Sequence, residues 1–393
     1  MISGLVIAAT LGAVSAEAFA QSARQASDRA SVRSEAPGKP SSANPGNPTY
    51  PDATRQDKQG KSSPKLTPVL RRLYEAYEAE DVALAQQLAD QIIASPGANA
   101  YEQAFAARVI GTLLPDRDNE RAAAYFQQAI DLDALNNKDH FETMLMLAQL
   151  QMQENRHEQA LQTMEAFLAG SRSQQPQHLA IKGNMLYRLK RYPEAITVLK
   201  PLVDSSPTPR VEWSQLLMAV YADSGQPVEA ARLAERVAAT APSDRRSQLN
   251  LAATYMQADQ TEQAIAVYER LRAAGQLSED RDYRNLFALY FNVEGKERDA
   301  IAVINEGLGK GVLKPDHQTH VALAQAYYFS GQTEPAIEAY RKAAPLADNG
   351  ETWLNLAKVL ANEGQTAGSK AAAQQALDKG IRNPEDARKL LAR

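Results

Sequence analysis

Cysteine is absent from the 393 residues of this sequence. Its absence excludes disulfide bonds, catalysis by a thiol and lipid attachment through cysteine. Tryptophan occurs only twice and aromatic residues make up 6% of the chain, whereas 44% of the residues are hydrophobic. Long stretches are rich in alanine, glutamine, glutamate and leucine. This balance is typical of helical proteins, so we expect an all-α fold.

Acidic residues outnumber basic residues over most of the chain. Residues 65–393 hold 36 lysines and arginines against 42 aspartates and glutamates, and the whole chain has a net charge of −4. Binding to nucleic-acid phosphates requires a stripe of basic side chains, which this composition does not supply. We therefore expect no nucleic-acid partner.

Motifs that would indicate chemistry are also missing. The segment 364–370, GQTAGSK, has three residues between its glycines, whereas a phosphate-binding loop needs four. His317 and His320 lie three apart on one predicted helix, as a metal would accept, but no third ligand is near them in sequence. We interpret the two histidines as a partly buried structural pair. No catalytic residue, no metal site and no cofactor is expected.

A repeated pair of helices is the main positive signal. Within residues 317–343, Ala324 lies in a first predicted helix, Gly331 in a turn and Ala336 in a second helix. Small residues at the crossing let two helix axes approach to about 8–10 Å. Counterparts of Ala336, the second-helix anchors, recur every 33 to 38 residues. The predicted anchors are Leu84, Ala122, Ala160, Ala195, Ala230, Ala264, Ala300, Ala336 and Ser369.

This pattern resembles that of tetratricopeptide repeat (TPR) proteins, whose period is about 34 residues. The resemblance implies a TPR solenoid of about nine antiparallel helical hairpins over residues 65–393, with the first helix of each hairpin lining a concave side. Asn383 and Pro384 begin a short last helix that we expect to cap the solenoid. Predicted turn glycines are Gly225, Gly295, Gly331 and Gly364.

Two segments precede the predicted repeats. Residues 1–20 combine an apolar run at 5–14 with the small-x-small sequence AFA at 18–20, as signal peptides do. The run is too short to cross a bilayer, so we expect cleavage and no transmembrane span afterwards. An ordinary apolar N-terminus of a cytosolic protein is the alternative. Residues 21–64 contain six prolines and no leucine, isoleucine, phenylalanine or tryptophan, so we expect a disordered polar linker.

The predicted concave side is the candidate binding site. Amide and tyrosine side chains beside small residues suit a peptide, whose backbone offers donors and acceptors whatever its sequence. Ala180 is expected to leave room in this groove, which Leu289 and Leu354 are also expected to line. The alternative is that some of these residues pack between repeats. The predicted peptide-binding residues are Asn184, Tyr187, Gln215, Asn285, Asn292, Gln325 and Tyr328.

A narrower resemblance concerns residues 140–168, 211–237, 248–277 and 347–380, which begin HFETML, VEWSQL, QLNLAA and ADNGET. These segments resemble the TPR proteins associated with TonB systems of Gram-negative bacteria. The resemblance implies a non-enzymatic scaffold in the periplasm that binds a segment of TonB, ExbB, ExbD or an outer-membrane receptor. Two alternatives stay open: a TPR adaptor for envelope assembly or secretion, and a subunit that regulates or carries out an enzymatic reaction.

Overall fold

The computed structural model describes residues 49–115, 118–205 and 210–392. The predicted signal peptide, residues 1–20, lies outside them, as do residues 21–48 of the predicted linker. The described residues form nineteen α-helices, one short 3₁₀ helix and no strand, which confirms the all-α prediction. Within these same ranges, no helix has both the length and the apolar character needed to cross a bilayer.

The described residues divide into two compact units, each of which is described by itself. The N-unit, residues 49–226, contains nine of the helices. These are α1 (Thr67–Glu78), α2 (Val82–Ile93), α3 (Ala100–Leu113), α4 (Asn119–Asp131), α5 (Asn137–Gln153), α6 (His157–Ser171), α7 (Pro176–Arg188), α8 (Tyr192–Asp204) and α9 (Val211–Asp223).

The C-unit, residues 227–392, contains the other ten helices. These are α10 (Pro227–Thr240), α11 (Arg245–Gln257), α12 (Thr261–Ala273), α13 (Asp280–Phe291), α14 (Glu297–Gly309), α15 (His317–Phe329), α16 (Thr333–Ala343), α17 (Glu351–Asn362), α18 (Thr366–Lys379) and α19 (Pro384–Leu391). The 3₁₀ helix, Ala344–Leu346, follows α16.

Neighbouring helices in each unit pack as antiparallel hairpins. In the N-unit, α1 packs with α2, α3 with α4, α5 with α6, and α7 with α8. In the C-unit, α11 packs with α12, α13 with α14, α15 with α16, and α17 with α18. The short helix α19 packs against both α17 and α18, which confirms the predicted C-terminal helix that covers the last hairpin.

The small residue at each helix crossing follows one local rule. In every second helix whose N-cap is described, the anchor lies four residues after the N-cap and donates its backbone N–H to the N-cap carbonyl oxygen. By this rule Leu84 is a wrong prediction: Leu84 is half-buried, whereas Ala85 is fully buried and is bonded to the N-cap Asp81. The anchors are therefore Ala85, Ala122, Ala160, Ala195, Ala230, Ala264, Ala300, Ala336 and Ser369, all of which are buried.

The turn inside each hairpin also has a fixed geometry. The residue five positions before the anchor has a positive φ wherever it is described. The four predicted turn glycines occupy this position, which confirms that prediction. The other four residues at this position carry side chains and adopt the same left-handed conformation: Glu80, Asn155, Lys190 and Asp259, with φ between 55° and 58°.

An ion pair is buried between the second and third hairpins of the N-unit. Arg108 on α3 is 1% exposed, and its Nη2 lies 3.0 Å from Asp139 Oδ1 and 3.1 Å from Glu142 Oε2 on α5. Asp139 is equally buried. Charges so deeply buried must be paired, because an unpaired one would lose its hydration without compensation.

The sequence prediction of a disordered linker is wrong for residues 49–64. We call residues 50–63 the strap, because they have no regular secondary structure and yet pack along the N-unit. Tyr50 is buried against Phe141 and Phe167, and Arg55 is hydrogen-bonded to the turn before α5. Composition predicted disorder because the segment lacks leucine, isoleucine, phenylalanine and tryptophan. Single aromatic and charged side chains hold it instead.

Candidate functional site

The predicted site residues form three rows on the first helices. Counted back from the anchor, Gln215 and Asn285 lie at position 15, Asn184 and Gln325 at position 11. The third row, at position 8, contains Tyr187, Asn292 and Tyr328. Steps of four and three residues keep all three rows on one side of an α-helix, which we call the first-helix face. Three of the seven residues belong to the N-unit and four to the C-unit.

The first-helix face is partly open to solvent. Among the hairpins from α5 onwards, all but three of the residues in these rows are half-buried or exposed. The exceptions are Ala180, Leu289 and Leu354, which are buried. Ala180 therefore belongs to the core and leaves no room in a groove, contrary to expectation. Ala180 has no exposed surface, whereas Leu145, Gln215 and Val321 in the same row are half-buried.

Tyr187 is held in place by the next hairpin of the N-unit. Its Oη donates a hydrogen bond of 2.8 Å to Asp223 Oδ2 near the end of α9, and its ring lies 6.2 Å from that of Tyr192. Burial and the hydrogen bond to Asp223 raise the pKa of Tyr187 to about 12. The phenol is therefore neutral, and its ring remains half-exposed with a fixed orientation.

Tyr328 in the C-unit repeats this arrangement. Asn362 Nδ2 on α17 donates to Tyr328 Oη at 3.5 Å. Asn362 lies seven residues before its anchor, as Asp223 does, so the two tyrosines contact equivalent positions of their following hairpins. The neighbouring Phe329 is 56% exposed and its ring packs edge-on against Tyr328 at 5.6 Å.

The predicted asparagine and glutamine side chains differ in their hydrogen bonding and exposure. Asn285 Nδ2 donates to Tyr268 Oη at 2.9 Å, so this amide is partly used in a contact between α13 and α12. Asn292 is exposed and caps the C-terminus of α13. Asn184, Gln215 and Gln325 are half-buried. Binding of a peptide by these seven residues stays a prediction.

A second set of tyrosines, missed in the sequence, joins consecutive hairpins of the C-unit. Tyr255 Oη and Tyr290 Oη each donate to a glutamate of the preceding second helix, Glu235 and Glu269, at 2.6 Å. In the third pair the direction is reversed, and Asn305 Nδ2 donates to Tyr327 Oη at 3.2 Å. Each of the three partners lies five residues after its anchor, so the repeat register could have revealed the pairs. Burial and the bond to Glu235 raise the pKa of Tyr255 to about 12.

The two spaced histidines have separate surroundings. His317 Nε2 lies 2.9 Å from Thr352 Oγ1 on α17. Burial lowers the pKa of His320, and this favours the neutral ring. Over residues 49–115, 118–205 and 210–392, no cluster of three histidine, aspartate or glutamate side chains could hold a metal ion.

Sequence profiles described as tetratricopeptide repeat match four stretches of the chain. The matched residues are 112–174, 145–208, 221–289 and 317–348. This chain is a tetratricopeptide repeat protein. Its hairpins, buried anchors and short terminal helix fit that family, whose members are generally non-enzymatic scaffolds for protein–protein interaction. No curated protein matches the chain.

Three solved structures illustrate what this TPR protein is similar to. A tetratricopeptide repeat protein from Parabacteroides merdae is 15% identical, covers 72% of this chain and 98% of its own, and has a TM-score of 0.38. The C-terminal part of a TPR protein from Cytophaga hutchinsonii is 14% identical, with coverages of 70% and 94% and a TM-score of 0.42. A thermophilic TPR protein from Thermus thermophilus is 20% identical, with coverages of 45% and 94% and a TM-score of 0.28.

Proposed function

We propose that this TPR protein is a periplasmic scaffold that binds an extended segment of a partner protein on its first-helix faces. The partner is a component of a TonB system: TonB, ExbB, ExbD or an outer-membrane receptor. The observation that supports peptide binding best is the equivalent placement of Tyr187 and Tyr328. Each ring is half-exposed and its hydroxyl is fixed by the following hairpin, so little side-chain entropy is lost when a peptide packs against it.

The location and the partner rest on the sequence. The apolar run at residues 5–14 and the AFA site at 18–20 support export, and the resemblance of four repeat segments supports a TonB system. Fractionation of cells that express the full chain with a C-terminal tag tests the location. Recovery of the tagged protein with cytoplasmic markers would overturn it.

Calorimetry with the purified protein tests the partner and the surface together. The titrants are the periplasmic portions of TonB and of ExbD. Replacing Tyr187 or Tyr328 by alanine is expected to weaken binding by more than about 1 kcal/mol, because a packed aromatic ring in an interface is worth at least that much. The matched control is Tyr125→Ala. Tyr125 is also half-buried and hydrogen-bonded, but it lies on a second helix, so its loss should leave binding unchanged.

Two results would contradict the proposal. Equal weakening by all three tyrosine variants would show that the effect comes from the fold and not from the first-helix face. Binding by neither titrant would exclude TonB and ExbD as partners and would favour an adaptor for envelope assembly or secretion.

A further inference from the structure

The strap contacts one edge of the N-unit, where one hairpin ends and the next begins. Its N-terminal end lies at the last turn of α6, its middle at the loop before α5, and its C-terminal end at the first turn of α3. It therefore passes from the third hairpin to the second before the chain enters α1. The first-helix face lies elsewhere on these helices, so binding at this edge is independent of the proposed function.

Tyr50 fills an aromatic pocket at the start of this edge. Its ring lies 5.1 Å from the ring of Phe141 and 5.9 Å from that of Phe167, edge-on in both cases. Only 7% of Tyr50 is exposed. Beside it, the backbone N–H of Thr54 donates to the carbonyl oxygen of Gly170 at 2.8 Å. This end of the edge recognises an aromatic ring and one backbone group.

Arg55 occupies a site made for a guanidinium group. Its Nε donates to Asp133 Oδ1 at 2.5 Å, its Nη1 to Asn137 Oδ1 at 2.7 Å and its Nη2 to the Leu135 carbonyl oxygen at 2.7 Å. The side chain is 13% exposed. Lys58 Nζ adds a second cation 2.5 Å from Asp133 Oδ2. A planar guanidinium that donates to three acceptors within residues 133–137 is characteristic of specific arginine recognition.

Asp133, which binds the strap, has a left-handed backbone conformation. Its φ is 46°, in the left-handed region, eleven residues after the anchor. At the same distance from the anchor, three later hairpins have glycine: Gly275, Gly311 and Gly380, with φ between 67° and 81°. Glycine adopts this conformation without steric cost, and aspartate, like asparagine, tolerates it better than most residues do. Burial raises the pKa of Asp133, but the hydrogen bonds from Lys58 and Arg55 outweigh burial and lower it.

The far end of the edge accepts a small-residue segment. A Cβ atom at Gly60 would lie 2.0 Å from the ring of Tyr101, so only glycine fits beneath that ring. Three residues later, Ser63 donates from both its backbone N–H and its Oγ to Glu102 Oε1, each at 2.6 Å. Burial raises the pKa of Glu102, but hydrogen bonds from Ser63 and Asn99 outweigh burial, so the carboxylate remains charged.

We propose that this edge is a peptide-binding site that the strap fills in cis. The site accepts an extended segment with an aromatic residue, an arginine five residues later and a glycine five residues after the arginine, as Tyr50, Arg55 and Gly60 are spaced. The strap makes few backbone hydrogen bonds to the helices. Its contacts are made by separate side chains, with exposed residues between them. A partner segment of the same chemistry can therefore replace the strap one contact at a time.

The cis strap competes strongly with any peptide in solution. A tethered segment has an effective concentration of the order of millimolar, so a free peptide binds weakly until the strap is released. The full chain with Tyr50→Ala and Arg55→Ala provides a released form. The probe is a fluorescent peptide of residues 49–64, TYPDATRQDKQGKSSP, whose binding is followed by anisotropy.

The released form is expected to bind the probe at least about tenfold more tightly than the wild type does. Adding Asp133→Gly should reduce binding by at least tenfold, because the arginine site loses its carboxylate. This change should not unfold the protein, since Gly275 and Gly311 adopt the same backbone conformation in other hairpins. The matched control is Asp259→Gly, at a left-handed aspartate in the C-unit, which should leave binding unchanged.

Equal binding of the probe by the wild type and the released form would overturn the proposal. So would binding that is insensitive to Asp133→Gly, or that a probe with alanine at the Arg55 position reproduces. If circular dichroism shows that the double variant has lost helix, Arg55→Ala alone is tested instead. In this partly released form Tyr50 stays in its pocket and keeps the packing, the arginine site is open to the probe, and the Asp133→Gly comparison is unchanged.

Discussion

Ser369 Oγ donates a buried hydrogen bond of 2.9 Å to the carbonyl oxygen of Ala357. Ser369 is the only anchor in the structure's described hairpins that is not alanine, and Ala357 is the small residue opposite it on α17. The crossing of α17 and α18 therefore tolerates a hydroxyl group, but only because that hydroxyl has an acceptor across the crossing. The same position allows little additional volume.

Substitutions at Ser369 should separate the hydrogen bond from the packing. Ser369→Ala restores the residue of the other hairpins and should cost less than about 1 kcal/mol of unfolding free energy. Ser369→Val replaces the hydroxyl by a methyl group and adds a second methyl group at a buried crossing, and it should cost about 2 kcal/mol. Urea unfolding followed by circular dichroism measures both. A valine variant as stable as the alanine variant would show that the crossing is not tightly packed.

Glycine in place of a left-handed turn residue that has a side chain should increase the stability of the protein. Lys190 has φ 58° at the position where four other hairpins have glycine, so Lys190→Gly should stabilise the protein by about 1 kcal/mol. Asn155→Gly should gain less, because asparagine tolerates this conformation. The reverse change, Gly331→Ala, should cost about 1 kcal/mol. A Cβ atom at Gly331 would meet no neighbour within 4 Å, so that cost would come from the backbone alone. Thermal or urea unfolding checks all three, and a destabilising Lys190→Gly would contradict the assignment.

The buried pair Arg108 and Asp139 should respond very differently to single and paired changes. Asp139→Asn removes one charge and leaves Arg108 buried with only Glu142 nearby, so we expect a loss of about 3–5 kcal/mol. Arg108→Met combined with Asp139→Leu and Glu142→Gln removes all three charges and should be much less destabilising. Urea unfolding of the single and triple variants gives the comparison. A triple variant less stable than Asp139→Asn would mean that the network stabilises the fold beyond charge neutralisation.

Mild acid should weaken the N-unit through two buried histidines. Burial, with the nearby Arg55, lowers the pKa of His140 to about 4, and burial lowers that of His178 to about 4. In the unfolded chain each ring takes up a proton near pH 6.5, whereas in the folded protein it does not until about pH 4. Stability is therefore full above the unfolded pKa and falls as the pH drops toward 4. Between about pH 7 and pH 5 the loss should be about 2 kcal/mol per histidine.

Urea unfolding at these two pH values tests this dependence. Most carboxylates remain charged at about pH 5, so the histidines dominate the difference. The variant with His140→Gln and His178→Gln should show a clearly smaller loss on acidification. An unchanged pH dependence in that variant would assign the effect to other groups.

The fold was predictable because its strongest signal is local. An alanine four residues after a helix N-cap, a turn residue five residues before it and a period near 35 residues are visible in one chain. The first hairpin was misplaced by one residue because Leu84 and Ala85 are adjacent apolar residues. Only the N-cap geometry of α2, with Asp81 four residues before Ala85, distinguishes them.

The site was less predictable for two reasons. Helical periodicity placed Tyr187 and Tyr328 on the first-helix face. It could not show that the Asn285 amide donates a hydrogen bond to the Tyr268 hydroxyl. The strap was missed entirely, because its binding depends on Tyr50 and Arg55 meeting residues about 80 or more positions away. The average composition of a segment does not show such contacts of single side chains.

The strap also changes how the N-unit must fold. In an array of hairpins, nearly all contacts join residues within about one or two repeats, so helices form and dock in sequence without closing long loops. The bond between Thr54 and Gly170 joins residues 116 positions apart. Closing a loop of that length comes late and slowly compared with hairpin docking. During synthesis, residues 50–63 leave the ribosome before any of their binding surface exists, so the strap can close only after the third hairpin has been made.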